Sequence, residues 1–332
     1  FYTEGSASRN EGDSFDEVAN EKMIIQAAIS VGVRVKTYIS GPKYGTYIVV
    51  DDSNIFSLKH IKKSIDAIKS RCLIDPKYKK NVCDEGRKFF QNQEAGISEN
   101  TLGIGSFAQQ YTNNFHSDYP TNKKILSIFT SSLWEKLGIA EFNHSIYENE
   151  YDGIQRITTD EAKLAKYNIV VRWHPALKHC TGNEKEKIDE IIARPAHGVK
   201  HVKPSDPESS YSILDQSACV ITFGSTIGIE ALYRNRKLVL LSPSNYSYIN
   251  GMIQVSSHEQ LLSALDKSAE TIDEYEFLLY GFYETSRNAK EFKYIQVHNG
   301  KRLKFYYNND NFIEPSPYHY KIYEKYLHIT ID

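Results

Sequence analysis

Asn168-Ile-Val-Val-Arg-Trp-His174-Pro175 is one of two stretches that decide the fold; the other is Val220-Ile-Thr-Phe-Gly-Ser225-Thr226-Ile-Gly228-Ile-Glu230. Each is typical of a buried strand followed by a short turn that carries polar groups. In an open parallel α/β sheet, ligands bind at the edge formed by the carboxyl ends of the strands. The two stretches therefore predict one shared crevice for a phosphorylated or nucleotide-linked substrate.

Beyond residue 123, continuous apolar runs alternate with helical stretches. The predicted strands are Lys124–Thr130, Asn168–Arg172, Gly198–Val202, Ala218–Phe223 and Lys237–Leu241. The predicted helices are 151–166, 184–193, 209–216, 227–235 and 257–268. Unbroken apolar strands are expected where helices cover both faces of a parallel sheet. The pattern predicts a doubly wound, Rossmann-like α/β domain.

The first 120 residues are less regular. The predicted strands are Val33–Ser40 and Thr46–Asp51. The predicted helices are Glu17–Val31, Leu58–Arg71 and Tyr78–Asn92. The polar, aromatic stretch 100–122 is typical of a linker, and His298-Asn-Gly-Lys301 predicts a hairpin turn. We predict an N-terminal α/β domain over 1–120, a second α/β domain over 121–270, and a tail over 271–332 that packs back on the domains.

Composition narrows the function. Forty basic against 42 acidic side chains give a net charge of -2, so no overall field attracts nucleic acid, and we predict no nucleic-acid partner. No apolar run reaches the roughly 20 residues of a membrane span, and no signal-peptide pattern opens the chain, so we expect a cytoplasmic protein. The chain opens at Phe1, inside a predicted strand, and we expect its first domain to be incomplete.

The metal-binding residue types do not form a recognisable site. The four cysteines are scattered, without a C-x-x-C pair, and His179, His197 and His201 lack metal-ligand spacing. We therefore predict neither a zinc site nor a disulfide framework, and no cofactor beyond the substrate itself.

His174 follows the predicted strand 168–172 directly. Pro175 disfavours a helical backbone for its predecessor, so His174 is expected to be extended at the sheet edge. There it can donate to a phosphate or protonate a leaving group. The alternative is a loop histidine that packs or caps.

Ser225 and Thr226 follow Gly224 and open a predicted helix. Hydroxyls and backbone N–H groups at a helix start suit an anion, although an ordinary N-cap uses the same residues. Gly224 and Gly228 allow the backbone to approach a ligand or a neighbouring strand closely.

Glu230 lies one turn into that helix, beyond capping-box spacing from Ser225 or Thr226. Its carboxylate can accept hydrogen bonds from the paired hydroxyls of a ribose, or it can be a surface glutamate favoured by the helix dipole. The loop Ser242–Tyr248 borders the same crevice and either contacts the base or forms a simple turn. Phe129-Thr-Ser131-Ser132 adds a third hydroxyl-rich strand end.

These motifs together resemble the capsule polysaccharide biosynthesis family, which comprises bacterial glycosyltransferases of the GT-B fold. The resemblance rests on Phe129-Thr-Ser-Ser132, Val170-Val-Arg-Trp-His-Pro175, Thr222-Phe-Gly-Ser-Thr-x-Gly-x-Glu-Ala231 and the trailing Pro243-Ser-x-Tyr246. It covers roughly residues 123–270, and it extends to transferases of CMP-activated 3-deoxy-octulosonic acid and, more distantly, to GT-B sialyltransferases. A GT-B fold implies two Rossmann-like domains facing across a cleft.

The resemblance implies roles for both domains. The second domain is expected to bind the donor nucleotide and its phosphate through Ser131, Ser132, Arg172, His174, Pro175, Gly224, Ser225, Thr226, Gly228, Glu230, Ser244 and Tyr246. The first domain is expected to bind an oligosaccharide or glycolipid acceptor. Its catalytic carboxylate is expected at Glu4, before Gly5, with Asp13 and Asp16 as rivals, while His174 stabilises the departing phosphate.

The expected function is metal-independent sugar transfer from a nucleotide-sugar donor, with a CMP-activated ulosonic acid favoured, to a surface polysaccharide or lipid-linked glycan. Such an enzyme can work at the inner face of the cell membrane or within a polysaccharide-assembly complex. Alternatives are a nucleotide-sugar epimerase, a polyol-phosphate transferase of related fold, or a non-catalytic nucleotide-sugar-binding subunit.

Overall fold

The structure is a computed structural model. It describes residues 2–4, 23–25, 27–42, 46–51, 57–95, 114–115, 122–131, 142, 146–160, 164–268, 273–287, 289–291, 295–298, 302–307 and 311–312. Its strands are β1 (Tyr2–Glu4), β2 (Lys36–Ser40), β3 (Thr46–Asp51), β4 (Lys124–Phe129), β5 (Tyr167–Arg172), β6 (Val199–Val202), β7 (Ser217–Thr222), β8 (Lys237–Leu240), β9 (Ile253–Gln254), β10 (Lys290–Glu291), β11 (Ile295–His298), β12 (Arg302–Tyr307) and β13 (Asn311–Phe312).

The helices alternate with these strands. They are α1 (Leu58–Ile74), α2 (Pro76–Ala95), α3 (Glu150–Thr159), α4 (Gly182–Ala193), α5 (Ser210–Gln216), α6 (Ile227–Tyr233), α7 (His258–Ala264) and α8 (Glu274–Ser286). Residues 23–25 and 27–30 are also helical, and Pro175–His179 forms a short 3-10 helix. The α/β class predicted from the sequence is confirmed.

Six parallel strands form the central sheet, in the order β6-β5-β4-β7-β8-β9. All five strands predicted beyond residue 123 are present, with ends within one residue of the prediction. The two-residue strand β9 was not predicted, because it is too short to leave an apolar pattern. Three predicted helices end early, at Thr159, Tyr233 and Ala264 instead of 166, 235 and 268.

Helices cover both faces of this sheet. Alternate residues of β4 point to opposite cores: Leu126 and Ile128 pack with one, Ile125 and Phe129 with the other. The first core contains side chains of α3, α4 and α7, and the second contains side chains of α5 and α6 together with α2 and α8. The domain is therefore doubly wound, as the unbroken apolar strands predicted.

A second sheet has the order β1-β2-β3-β10. Strand β1 runs parallel to β2, whereas β2 and β3 are antiparallel, as are β3 and β10. Strands β11 and β12 form the predicted hairpin, with His298 opposite Arg302. The domain boundaries at residues 120 and 270 remain predictions.

Helix α8 joins α1 and α2 in a third core. Its Leu279, Phe282 and Tyr283 pack against Ile65 and Val82. The helices α2 and α8 cross in backbone contact, because a Cβ added at Gly86 would lie 2.1 Å from the Leu278 carbonyl oxygen. A Cβ at Gly281 would lie 2.6 Å from the Gly86 carbonyl oxygen. The absence of side chains at both positions is what permits this crossing.

Candidate nucleotide-binding site

The strand order reverses between β4 and β7. From β4 the chain winds outward through β5 and β6, and it then crosses to the other side of β4 to form β7, β8 and β9. In open α/β sheets such a switch point leaves a crevice outside the carboxyl ends of the strands. Phe129 pairs with both Arg172 and Thr222, so β4, β5 and β7 end at the same level. The turns that follow them border this crevice.

His174 lies at the end of β5 and has an extended backbone, with φ -61° and ψ 131°, as the following proline predicted. Its backbone N–H donates to Thr130 Oγ1 at 2.7 Å, which ties the end of β5 to the end of β4. Its Nδ1 accepts from the backbone N–H of Ala176 at 3.2 Å and caps the 3-10 helix. Because Nδ1 accepts, the neutral imidazole carries its proton on Nε2, where it can donate to an anion.

Ser131, at the end of β4, is held by a buried carboxylate that the sequence did not point to. Glu150 Oε1 accepts the Ser131 backbone N–H, and Oε2 accepts the Ser131 hydroxyl, both at 2.7 Å. Ser131 and Glu150 are 2% and 1% exposed. This pairing gives Ser131 a structural role, and its phosphate contact stays a prediction. Ser132 lies outside the described residues.

Arg172 also makes its hydrogen bonds within the protein. Its side chain is 1% exposed and donates to the carbonyl oxygens of Lys203 and Asp206 and to the hydroxyl of Ser210. These bonds hold the loop between β6 and α5. The guanidinium therefore supports the loop beside the end of β5, and its contact with the donor stays a prediction. Pro175 is likewise buried, at the start of the 3-10 helix.

The turn after β7 carries Gly224, Ser225 and Thr226. Gly224 has φ +99°, which L side chains rarely adopt, so glycine is required there. The Ser225 backbone N–H donates to Thr222 Oγ1 at 3.0 Å, which fixes the turn on the strand. Ser225 is partly exposed, and Thr226 is exposed at the start of α6 without a side-chain capping bond. Both residues lie in the turn at the carboxyl end of β7, which borders the crevice.

The loop after β8, which carries Ser244 and Tyr246, holds this turn by hydrogen bonds to its backbone. The Tyr246 hydroxyl donates to the Ser225 carbonyl at 2.6 Å, and the Ser244 hydroxyl donates to the Gly224 carbonyl at 3.0 Å. Tyr246 is fully buried and Ser244 is 4% exposed. These bonds give both side chains a positioning role, and their contact with the donor stays a prediction. Local spacing could not show that these side chains face inward.

Gly228 makes room for Tyr246, since a Cβ at this position would lie 2.2 Å from the Tyr246 hydroxyl oxygen. Gly228→Ala is expected to destabilise the protein by about 1–3 kcal/mol through overpacking. Tyr246→Phe removes the obstructing oxygen and one hydrogen bond, at a cost of about 0.5–1.5 kcal/mol. The double variant is expected to lose less stability than the sum of the two single losses when urea unfolding is measured. Strict additivity would contradict the contact.

Glu230 presents a buried carboxylate next to the crevice. Tyr211, in the first turn of α5, hydrogen-bonds to it, while Oε2 is buried without a hydrogen-bond partner among the described residues. Burial raises the pKa of Glu230 to about 7, while the Tyr211 hydrogen bond and the charge of Arg234 oppose the rise. A carboxylate with one buried, unpaired oxygen is the kind of group that hydroxyls of a ligand satisfy.

A polar chain connects the turn after β7 to helix α8. Ser244 Oγ lies 3.1 Å from Asn245 Oδ1, and Asn245 Nδ2 donates to Glu284 Oε1 at 3.3 Å. Arg287 donates to Glu284 Oε2 at 2.6 Å and ends the helix with φ 43°. No sequence signal pointed to Glu284 or Arg287, because the Asn245–Glu284 bond joins segments 39 positions apart along the chain.

The first-domain carboxylates are less defined. Glu4 ends β1 and pairs with Tyr38 in the sheet register, but its side chain is not described, and Asp13 and Asp16 lie outside the described residues. Within the described ranges, no group of three or more His, Cys, Asp or Glu side chains could hold a metal ion. Among those same residues, no helix has the length and apolar character of a membrane span.

Comparisons with known proteins give one family match. No curated protein matches the chain. Two Thermosulfurimonas dismutans KpsC structures are similar. The beta Kdo 2,4 transferase is 10% identical with a TM-score of 0.44, over 92% of this chain and 80% of that one. The beta Kdo 2,7 transferase is 9% identical with a TM-score of 0.43, over 98% of this chain and 99% of that one. The wall teichoic acid polymerase TagF, H444N variant, is similar at 15% identity and a TM-score of 0.31, over 51% of this chain and 40% of that one.

The family match covers α3 to α7 and includes the turns after β5 and β7. Residues 139–263 match the model described as "Capsule polysaccharide biosynthesis protein". The resemblance drawn from the motifs is thereby confirmed: residues 139–263 of this chain are similar in sequence to the capsule polysaccharide biosynthesis family.

Proposed function

We propose that the protein is a GT-B glycosyltransferase and that residues 121–270 bind its nucleotide-sugar donor. The observation that supports this proposal is that the turns after β5 and β7, which carry His174, Ser225 and Thr226, lie at the same edge of the sheet, with Glu230 in the first turn of the helix that follows. Capsule polysaccharides are built by sugar transfer, so the family match to residues 139–263 supports the same reading.

The phosphate is proposed to bind between the turns after β5 and β7. These strands are separated by β4 alone, so their ends lie on the order of 10 Å apart. The Nε2–H of His174 would donate from one side, and the hydroxyls of Ser225 and Thr226 from the other. Charge that develops on the leaving phosphate would meet preorganised donors.

The ribose is proposed to bind Glu230. Its unpaired Oε2 can accept from the paired ribose hydroxyls, which would replace the water that the buried oxygen has lost. An ionised carboxylate accepts such bonds more strongly than a protonated one. Nucleotide binding should therefore favour the ionised form and lower the raised pKa of Glu230.

The acceptor is proposed to be an oligosaccharide or glycolipid bound by the first domain. Glu4 is the proposed catalytic carboxylate, which removes the acceptor proton or forms a glycosyl adduct. We further propose that His174 and the hydroxyl turn neutralise the phosphate without a metal ion. The motif resemblance to transferases of CMP-activated ulosonic acids makes CMP the favoured nucleotide.

A thermal-shift panel of CMP, UDP, GDP and CDP tests the proposal. A nucleotide at 100 times its dissociation constant should stabilise the protein by about 2.7 kcal/mol, and CMP is expected to do so. Because the pKa of Glu230 is about 7, its ionised fraction rises from pH 6 to pH 8, and CMP affinity should rise with it. Glu230→Gln should remove this contribution, whereas 2′-deoxy-CMP should show a weaker pH dependence on the native protein.

The ligand-free protein provides a control on Glu230. The unfolded chain ionises near pH 4.5, before the folded one, so the raised pKa costs stability as pH rises from 4.5 to 7. Glu230→Gln should therefore be more stable than the native protein at pH 8 and equally stable at pH 4. A folded protein that none of the four nucleotides stabilises would overturn the proposed function.

A further inference from the structure

The turn between α1 and α2 exposes two large aliphatic side chains. Leu73 and Ile74, in the last turn of α1, are 86% and 83% exposed, more than any other large apolar side chain in the described ranges. Asp75 ends the helix and Pro76 begins the next. Isolated exposed apolar residues are ordinary, but an adjacent pair at the tip of a helical hairpin has an unusually accessible apolar surface.

The same hairpin is strongly basic. Residues 58–80, here called the basic hairpin, contain eight Lys or Arg and two Asp, a net charge of +6 in a chain whose total is -2. Three of these cations have partners in the protein: Lys69 pairs with Glu276, and Arg71 and Lys79 lie over the rings of Tyr78 and Tyr275. The exposed lysines outside these contacts are Lys59, Lys62, Lys63, Lys77 and Lys80.

The exposed lysines of α1 and its exposed aliphatic pair lie on the same face of the helix. An α-helix has 3.6 residues per turn, so residues eleven apart lie within about 20° of each other around the axis. Lys62 is therefore aligned with Leu73, and Lys63 with Ile74. The opposite face of α1 is buried through Ile61, Ile65, Ile68 and Cys72. Lys62, Lys63, Leu73 and Ile74 thus all face solvent. Along the helix axis, each of these two lysines lies about 16 Å from its aliphatic partner at the tip.

We propose that the basic hairpin docks on the surface of an anionic lipid membrane. Leu73 and Ile74 would enter the boundary between headgroups and acyl chains, while Lys62, Lys63, Lys77 and Lys80 would contact anionic headgroups. A second copy of this chain that docks hairpin to hairpin is a poor occupant, because two hairpins of +6 repel each other. Nucleic acid would bind the lysines but would not bury the exposed Leu73 and Ile74 side chains. The inference is independent of the proposed function, since it rests on exposure and charge.

Co-sedimentation with vesicles tests the docking. The native protein should sediment with phosphatidylglycerol vesicles and not with phosphatidylcholine vesicles, and added salt should weaken binding because it screens the lysines. Leu73→Asp with Ile74→Asp should weaken binding at least tenfold. Lys62→Glu with Lys63→Glu should weaken binding at least fivefold for each lysine replaced. Val31→Asp changes another exposed apolar residue, outside the basic hairpin, and should bind like the native protein.

Several results would overturn the inference: equal sedimentation with both vesicle types, unchanged binding of the two hairpin variants, or an equal loss in Val31→Asp. A concentration-dependent dimer that disappears in Leu73→Asp with Ile74→Asp would assign the surface to a second copy instead. Thermal unfolding confirms that the variants fold. Their CMP-induced thermal shift should match that of the native protein, so failure of membrane docking is distinguishable from failure of the nucleotide site.

Discussion

Replacing His174 with alanine is expected to lower the rate of sugar transfer by about 10²- to 10³-fold, the usual effect of removing one preorganised donor to a developing oxyanion. The variant loses the Nε2–H proposed to stabilise the leaving phosphate. It also loses the Nδ1 acceptor for the Ala176 N–H, which costs about 1 kcal/mol of stability, as other lost caps do. Turnover of the donor identified by the nucleotide panel, measured beside thermal unfolding, separates the two effects.

Two further variants control this result. His174→Asn keeps a side-chain oxygen that can cap the 3-10 helix but lacks a titratable ring, so it should regain stability and remain slow. His179→Ala changes an exposed histidine of the same short helix and should retain the native rate. Full activity in His174→Ala would remove this residue from the mechanism.

Gly86→Ala is expected to produce the largest loss of stability, at or above the roughly 1–3 kcal/mol of overpacked cores. The new Cβ would lie 2.1 Å from the carbonyl oxygen of Leu278, and a backbone atom cannot rotate away as a side chain can. The helices α2 and α8 must therefore separate, which opens the core formed with α1. The midpoint of urea unfolding should fall accordingly.

Asn81→Ala is the matched control, because it places alanine on an exposed position of the same helix. Alanine favours a helix over asparagine and over glycine, so propensity alone should stabilise both variants. A loss confined to Gly86→Ala therefore identifies the helix crossing as its cause. An unchanged midpoint in Gly86→Ala would show that α2 and α8 do not pack this closely in solution.

Much of the second domain could be predicted because its information is local. The apolar run in β5 and the glycine-hydroxyl turn after β7 each lie within a few consecutive residues, and both were located correctly. Knowing that the strands are parallel then brings His174 and Ser225 to the same edge of the sheet. Neither step requires a contact between distant residues.

The supporting contacts could not be predicted, because each joins separate segments. Glu150 holds Ser131 across 19 positions, and Tyr246 holds the Ser225 carbonyl across 21. A sequence pattern gives the type of a side chain but not its direction, so it predicted that Tyr246 and Arg172 bind the ligand without showing the bonds that they make to the protein itself. Their polar groups satisfy buried backbone atoms.

The packing of α8 against α1 and α2 has a consequence for how the chain folds. Leu279, Phe282 and Tyr283 complete a core whose other members, from Ile61 to Val82, are synthesised about 200 residues earlier. During translation the part of this core that α8 supplies is missing until Tyr283 has been synthesised. Because these contacts are far apart in sequence, we expect this core to form slowly and only after residues 121–270 have been synthesised.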